Sequence, residues 1–288
     1  MIKYILQITI SIMISFSFSN TIISMNGNMD QFSSMNSGSF IESNYREFNN
    51  TTYNLYNMSF IKLPADITFH EIFFQKSMNQ YLISSKISIL NYGNLEDVLN
   101  NSFSANNRML QISIFNIQSK SFIYGMSIGL IQSSIETYSS SALVYNFGFN
   151  KSYFNNKLIV GLSVENFNTI IDNYSNLEDS IPHIINVSSI YKPQFIPFNL
   201  RINYLYDSLN NQELGLSLIG HIDNIFYFYT GKYFYINDVI VYNVFENIAF
   251  GCGIFINNQY KINLGLQHLA NGIFNIGTSL TAITLDNF

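Results

Sequence analysis

The chain is poor in charged residues, cysteine and tryptophan, and the first two shortages each exclude a class of protein. Only 11% of its 288 residues are charged, against about 25% in a typical soluble domain, so an ordinary solvated surface is not expected. The single cysteine cannot form an internal disulfide. A net charge of -5 without any basic run excludes the basic face that nucleic acid requires.

Long apolar runs are also missing. After the N-terminus, no uninterrupted run reaches the roughly 18 residues of a membrane-spanning helix, although 48% of residues are hydrophobic and 16% are aromatic. This combination favours a membrane β-barrel, whose outer face meets lipid and whose aromatic residues form girdles at the two interfaces. Since tryptophan is absent, the girdles must consist of tyrosine and phenylalanine.

Three blocks within the region 122–167 alternate between apolar residues and small or polar ones. This period of two predicts β-strands with one apolar face and one small or polar face. Strands in series, joined by polar turns, form a β-meander that closes into a sandwich or a barrel. The apolar positions are Phe122, Tyr124, Met126, Ile128 and Leu130, then Leu143, Tyr145, Phe147 and Phe149, then Leu158, Val160, Leu162 and Val164.

Similar blocks predict about fourteen antiparallel strands, an even number as single-chain bacterial barrels have. Asparagine pairs in the connections, such as Asn155-Asn156 and Asn210-Asn211, tolerate left-handed turn conformations. The predicted strands are Met58–Leu63, Ile67–Gln75, Leu82–Tyr92, Met109–Ile117, Phe122–Gln132, Ala142–Asn150, Leu158–Phe167, Ile184–Tyr191, Phe198–Tyr206, Leu214–Gly220, Ile225–Tyr235, Ile248–Ile256, Tyr260–His268 and Ile273–Ile283.

The strand Tyr260–His268 shows why a barrel is favoured over a sandwich. A barrel directs its apolar face to lipid and its polar face to the lumen, whereas a sandwich buries the first and solvates the second. The low charge on the polar face favours the barrel. The apolar face carries Tyr260, Ile262, Leu264 and Leu266, and the polar face carries Lys261, Asn263, Gly265 and Gln267.

Three further features constrain the faces. Arg201 and Asn203 share the polar face of one strand and are expected in the lumen, because an arginine facing lipid at mid-depth costs about 2–4 kcal/mol. Cys252 lies among apolar residues and is expected to be a small buried or lipid-facing residue. The aromatic runs 226–229 and 233–235 fit a girdle or an exposed patch, and the girdle is favoured.

The N-terminal region divides into two predicted segments. Residues 1–19 combine Lys3 with an apolar stretch and the small-x-small pattern Ser17-Phe18-Ser19, which is typical of a cleaved signal peptide. Residues 20–57 are rich in asparagine, serine, methionine and glycine and fit either a plug inside the lumen or a surface arm. Residues 58–288 form the predicted barrel. Export and barrel strands together indicate the outer membrane of a bacterium with two membranes.

The sequence suggests no catalytic, cofactor-binding or metal-binding residues, so an enzyme is not predicted. The four histidines, His70, His183, His221 and His268, are far apart and lack a metal-ligand spacing. Adjacent carboxylates occur only at Glu96-Asp97 and Glu178-Asp179, where a solvated acidic loop is expected rather than a calcium site.

An ordered series of motifs resembles the PorV/PorQ group of outer-membrane proteins, which belong to the FadL-like barrels, and its order and spacing are nearest to the PorQ branch. The resemblance covers the chain from about Met58 onward. Its motifs are Leu63-Pro64-Ala65-Asp66-Ile67, Ile89-Leu90-Asn91-Tyr92-Gly93 before Glu96, Ser102-Phe103-Ser104-Ala105-Asn106, Ile135-Glu136-Thr137-Tyr138-Ser139-Ser140, Val164-Glu165-Asn166-Phe167, Ile181-Pro182, Tyr191-Lys192-Pro193 and Pro197-Phe198.

The resemblance implies a non-enzymatic component of the type IX secretion system, which helps to assemble or anchor the cell-surface attachment complex for secreted cargo. Its implied partners are outer-membrane lipid, a sortase-like peptidase, a PorV-like shuttle and a surface partner. A FadL-like transporter of hydrophobic small molecules is the alternative. A transporter should have an apolar pocket between plug and barrel and a strand kink, whereas an assembly subunit should expose an apolar loop patch of several hundred Å².

Overall fold

The chain folds into one closed antiparallel barrel of fourteen strands, in which each strand pairs with its sequence neighbours and β1 pairs with β14. The computed structural model describes residues 53–96, 102–119, 121–173, 181–222, 225–236, 247–256, 259–268 and 273–285. The strands are β1 (Tyr53–Lys62), β2 (Thr68–Met78), β3 (Tyr81–Glu96), β4 (Ser102–Ser119), β5 (Phe122–Ile135), β6 (Tyr138–Tyr153), β7 (Leu158–Asp172), β8 (Ile184–Tyr191), β9 (Phe198–Asp207), β10 (Gln212–Ile222), β11 (Phe226–Tyr235), β12 (Ile248–Ile256), β13 (Tyr260–His268) and β14 (Phe274–Leu285).

The predicted barrel is confirmed, and closure excludes the sandwich. Three strands, β8, β12 and β13, have the bounds that the alternation predicts. No helix among the described residues is long and apolar enough to cross a membrane. The predicted signal peptide, residues 1–19, lies outside the described residues, as does most of the polar segment 20–57, whose last residues, from Tyr53, already belong to β1.

The two ends of the barrel differ in the length of their connections. The end where β1 begins and β14 finishes, here called the terminal end, has tight turns such as 79–80 and 154–157. The opposite end, here called the loop end, carries the long connections 173–183 and 236–247. Outer-membrane barrels have short periplasmic turns and longer external loops, so this asymmetry matches theirs with the terminal end on the periplasmic side.

The outer wall is apolar, as β5 shows most clearly. Side chains at Phe122, Tyr124, Met126, Ile128 and Leu130 point outward with 38–53% of their surface exposed. The residues between them, Ser127 and Gly129, are buried toward the lumen. An apolar outer band of this kind is stable in a hydrocarbon environment and not in water. The strand Tyr260–His268 has the same arrangement, with Lys261, Asn263, Gly265 and Gln267 buried, so its predicted register is confirmed.

Cys252 provides a direct test of this register, because it is exposed on the outward face of β12. A fluorophore attached to Cys252 in the unfolded chain, which is then refolded into vesicles, should be quenched by brominated acyl chains. The matched control carries the same label at Asn210→Cys in a Cys252→Ser background, since Asn210 lies in an exposed turn. Equal quenching at the two positions would show that Cys252 does not face lipid.

The barrel is closed by the pairing of β1 with β14, and buried polar side chains reinforce this junction. Thr281 Oγ1 donates to Asn57 Oδ1 at 2.7 Å, and Asn57 Nδ2 donates to Ser59 Oγ at 2.7 Å. Asn57 is 1% exposed. A buried hydrogen-bonding group that loses its partner costs about 1–3 kcal/mol, so the junction depends on this amide.

We therefore expect Asn57→Ala to lower the free energy of unfolding by about 2 kcal/mol, because it leaves the Thr281 hydroxyl without this acceptor. The measurement is urea unfolding in lipid vesicles, followed by tyrosine fluorescence and gel mobility. Ser279→Ala, which removes a hydroxyl that accepts from Asn263 Nδ2 at 2.8 Å on the neighbouring strand pair, should cost less. If Asn57→Ala were neutral, the side-chain bonds would contribute nothing to closure.

Candidate functional site

The middle of the lumen wall is a belt of small polar side chains joined by hydrogen bonds. Gln111 Nε2 and Asn146 Nδ2 both donate to Ser127 Oγ, at 2.9 Å and 2.8 Å, which links β4, β5 and β6. On the far wall, Asn263 Nδ2 donates to Ser279 Oγ at 2.8 Å between β13 and β14. The predicted placement of polar strand faces in the lumen is confirmed for the middle of the described strands, and Asn203, one of the two β9 residues expected there, is 3% exposed.

Part of the lumen wall is apolar, in the loop-end halves of β1 to β6 and in the terminal-end halves of β10 and β11. Buried hydrophobic side chains, most of them from β1 to β6, pack there into one group, here called the luminal apolar cluster. Ile67, Leu95, Ile135, Ile181 and Phe255 pack against it. The cluster consists of Ile61, Leu63, Phe69, Leu90, Tyr92, Ala105, Met109, Ile131, Val144, Ile219, Tyr227 and Tyr229. The cluster therefore makes part of the barrel interior apolar.

The cluster coincides with a reversal of polarity across the wall. In the middle of β4, Leu110 and Ile112 face outward and Gln111 and Ser113 face the lumen. Nearer the loop end, Arg108 and Asn106 face outward, while Met109 and Ala105 are buried on the luminal side. Lipid contact therefore does not account for Ala105 and Met109, because they turn away from the side where lipid lies.

The aromatic run 226–229 is divided between the two faces, which corrects the girdle prediction. Phe226 is 50% exposed on the outside, but Tyr227 and Tyr229 are 2% and 1% exposed and belong to the luminal apolar cluster. Four consecutive aromatics in a strand must place two on each face. The run of four at 226–229 in the sequence was therefore enough to predict two inward rings. Tyr229 Oη donates to the carbonyl of Leu264 at 2.8 Å.

The two luminal tyrosines lie flat against glycines of the adjacent strand. Tyr227 is opposite Gly253 and Tyr229 is opposite Gly251. A Cβ atom at either glycine would overlap the facing ring. The rings thus occupy the space that side chains on β12 would otherwise fill. Glycine is required at both positions because each ring lies too close to the backbone for a Cβ atom.

A lysine covers one of these rings. Lys261 is 8% exposed, and its Nζ lies 4.2 Å from the Tyr227 ring centre and 5.5 Å from that of Phe255. Attraction between an ammonium group and an aromatic face strengthens where water is excluded. The far wall of the lumen therefore presents an aromatic surface, which the glycines of β12 and Lys261 of β13 hold in place.

The pairing of β7 with β8 stops short of the loop end. The ladder ends at Glu165 and Ile184, although β7 continues to Asp172 in contact with β6. The register between β6 and β7 shifts at Tyr145 and Phe147, which marks a β-bulge, and bulges bend strands and end pairing. This stretch of β7, with residues 181–183 beside it, is here called the β7–β8 seam.

Side chains rather than a backbone ladder hold the seam together. Asn166 has a φ of 63°, and its N–H donates to Asn146 Oδ1 at 2.7 Å. Asn166 Nδ2 donates to the carbonyl of Pro182 at 3.3 Å, and Asn168 Nδ2 donates to that of Ile181 at 2.8 Å. Pro182 has no N–H and cannot continue a ladder.

Residues 181–183 cross the wall from inside to outside. Ile181 packs against the luminal apolar cluster, Pro182 is buried, and His183 is exposed outside. The His183 ring lies 5.2 Å from that of Phe167, and its Nδ1 donates to the carbonyl of Asn166 at 2.8 Å. A few side-chain bonds at this point therefore separate the cluster from the outside of the barrel.

No reactive constellation emerges from the described residues. No group of three or more His, Cys, Asp and Glu within them could hold a metal ion. His70, His183 and His268 each stack on an outward phenylalanine at the loop end. Of the adjacent carboxylates, Asp97, Glu178 and Asp179 lie outside the described residues. The absence of an enzymatic site stays a prediction.

Comparison with known proteins identifies the fold. No family model matches the chain, and no curated protein matches it significantly. Among solved structures, the toluene transporter TodX of Pseudomonas putida is 8% identical and superimposes with a TM-score of 0.58 over 91% of this chain and 96% of that one.

Two other solved structures superimpose nearly as well. The toluene transporter TbuX of Ralstonia pickettii is 6% identical, with a TM-score of 0.55 over 82% of this chain and 90% of its own. A FadL homologue of Pseudomonas aeruginosa is 8% identical, with a TM-score of 0.56 over 90% and 96%. At these identities the likeness concerns the fold alone: the chain is similar to the FadL-like outer-membrane barrels.

Proposed function

We propose that the protein is an outer-membrane channel for hydrophobic small molecules. The observation that carries this proposal is the luminal apolar cluster, whose β4 members, Ala105 and Met109, turn inward where the outer wall of that strand has become polar. A molecule bound there exchanges water for apolar contacts, at about 25 cal/mol per Å² of apolar surface buried. Both toluene transporters share this fold, which supports the same class of cargo.

The β7–β8 seam supplies the exit in this proposal. A hydrophobic molecule that left along the polar belt would lose its apolar contacts, whereas a lateral exit delivers it from the cluster toward lipid. Separation of the seam requires breaking side-chain bonds from Asn166, Asn168 and His183, not a continuous ladder. The seam thus provides the strand kink expected of a transporter.

The proposal includes location in a bacterial outer membrane and removal of residues 1–19 on export. The apolar outer band and the unequal connections at the two ends support the location. N-terminal sequencing of the mature protein, isolated from the membrane, tests the cleavage near Asn20. An N-terminus at Met1 would contradict the signal-peptide prediction.

The transport proposal is tested by uptake into a host whose own FadL-type barrel has been deleted. Labelled toluene and labelled dodecanoate serve as the hydrophobic probes, and a labelled disaccharide of similar size serves as the hydrophilic one. The expected result is faster uptake of at least one hydrophobic probe and no gain for the disaccharide. If folded protein in the membrane accelerates neither hydrophobic probe, or accelerates all three equally, the proposal fails.

A role in type IX secretion is the other function that the sequence predicts. It rests on the motif series that resembles the PorV/PorQ group, and no contact within the described residues bears on it. Affinity purification from the native outer membrane, followed by mass spectrometry, tests it. Recovery of a sortase-like peptidase or a PorV-like protein would favour secretion, whereas a protein that carries only bound hydrocarbon or fatty acid would favour transport.

A further inference from the structure

A polar surface lies on the outside of the barrel directly beyond the apolar band. It covers β3 to β6 near the loop end and is here called the outer polar patch. Arg108 pairs with Gln132, and Gln132 pairs with Ser141. In the next outward row toward the loop end, Asn91 pairs with Asn106, and Asn106 pairs with Ser134. The patch consists of Asn91, Asn106, Arg108, Gln132, Ser134 and Ser141.

The register fixes the height of this patch relative to lipid. One step toward the terminal end, the outward row is wholly apolar: Ile87 pairs with Leu110, Leu110 with Leu130, and Leu130 with Leu143. Outward positions two residues apart are about 6.6 Å apart along a strand. The patch therefore begins within one such step of the last lipid-facing row, at the depth where lipid head groups lie.

Arg108 is the only charged residue of the patch. Its guanidinium group is exposed and offers the planar donor array that binds phosphate in bidentate fashion. The nearest acidic group in its row is Asp172, opposite Ser141. Three strand spacings of about 4.8 Å separate the two, or about 14 Å, which exceeds the Debye length of about 8 Å at physiological salt.

The other patch residues carry amide and hydroxyl groups, which both donate and accept hydrogen bonds. Gln132 is exposed beside Arg108, while Ser134 and Ser141 are half-buried along β5 and β6. Such a set suits the hydroxyl-rich rings of a saccharide, and the adjacent guanidinium suits a phosphate on that saccharide. A plain phospholipid head group would use Arg108 but little else of the patch.

We propose that the outer polar patch binds the phosphorylated saccharide head group of a glycolipid in the surrounding leaflet. The patch continues the lipid-facing wall without interruption, so the molecules that meet it are lipids whose chains cover Leu110 and Leu130. The phosphate binds to Arg108, and the sugar binds to Gln132, Ser134 and Asn106. This proposal requires the barrel to stand in a membrane and is independent of what the lumen carries.

The test measures lipid binding to the delipidated full-length protein by native mass spectrometry. The probes are rough lipopolysaccharide and phosphatidylglycerol. Arg108→Gln should weaken lipopolysaccharide binding by about tenfold, since one charge-assisted pair is lost. Lys151→Gln is the matched control, because Lys151 is an exposed, outward cation near the terminal end, 5.2 Å from the Tyr153 ring centre.

A second variant separates sugar recognition from phosphate recognition. Gln132→Ala combined with Ser134→Ala should weaken lipopolysaccharide binding and leave phosphatidylglycerol binding unchanged. Equal binding of the two lipids by the native protein would overturn the saccharide assignment. Equal effects of Arg108→Gln and Lys151→Gln, or no lipopolysaccharide binding at all, would overturn the proposal, while uptake of hydrophobic probes could still be normal.

Discussion

Cross-linking the β7–β8 seam is expected to reduce transport of a hydrophobic probe by about tenfold, equivalent to about 1.4 kcal/mol on the barrier. Cysteines at Phe167 and His183, joined by a short thiol-reactive linker in a Cys252→Ser background, would tie the two sides together. Their rings are 5.2 Å apart on the outer surface. The locked seam prevents Pro182 from leaving the wall, so a molecule in the luminal apolar cluster loses its lateral exit.

The control is a cross-link between the same two strands at the terminal end of the barrel. Leu158 and Tyr191 are direct partners in the β7–β8 ladder, so cysteines there join strands that already stay paired during transport. Uptake through this variant should match that of the uncross-linked protein. With a cleavable linker, uptake through the Phe167–His183 variant should recover on cleavage. Undiminished transport through the locked seam would mean that molecules travel along the barrel axis instead.

Gly253→Ala is expected to lower the free energy of unfolding by about 3 kcal/mol, at the upper end of the usual cost of overpacking. The added Cβ would overlap the Tyr227 ring, which lies flat against this glycine. The ring cannot move away freely, because it packs against Tyr229 and Phe255 and lies under the Lys261 ammonium group. Urea unfolding in vesicles measures the loss.

A double-mutant cycle identifies the cause of that loss. Tyr227→Ala alone removes a large buried ring and should cost about 3–5 kcal/mol. In Tyr227→Ala with Gly253→Ala, the second change no longer meets a ring, so the combined cost should be less than the sum by more than 1 kcal/mol. Cys252→Val on the outward face of the same strand should be nearly neutral. Additive costs would show that the glycine is not required by the ring.

The number and the faces of the strands could be predicted because one physical rule covers the whole lipid-facing wall. In a strand that crosses lipid, each residue facing hydrocarbon is apolar and the next residue, facing the lumen, is polar or small. The sequence therefore alternates with a period of two wherever a strand crosses lipid. This is why β12 and β13 have their predicted bounds and why Cys252 lies on the outside.

The same rule explains where the predicted strands end too early. The alternation predicts β4 from Met109, yet the strand begins at Ser102. Beyond Arg108 the outward positions are the polar Asn106 and Ser104, and the inward ones include the apolar Ala105 and Phe103 beside the buried Asn107. A rule that assigns every apolar face to lipid stops at that reversal. The reversal, however, is what places Ala105 and Met109 in the luminal apolar cluster, so a poorly predictable part of the wall contributes to the candidate site.

The seam was beyond sequence reasoning for a different reason. The predicted strand ends at Phe167, but β7 continues to Asp172 past a bulge opposite Tyr145 and Phe147. A single inserted residue shifts the alternation by one position, which resembles the end of a strand when only the pattern is read. The bonds from Asn166 and Asn168 to residues 181–182 depend on proximity that no local pattern contains.

The closing pair of strands sets the order in which the molecule can be assembled. β1 leaves the ribosome first and β14 last, yet Tyr53 pairs with Leu285 and Lys62 pairs with Ile276. Contacts of such long sequence separation form late, because the chain between them must already be confined. During export one edge of β1 therefore has no strand beside it, and an open edge invites pairing with other chains. A chain shortened by β14 would keep both open edges permanently and become a substrate for aggregation or proteolysis.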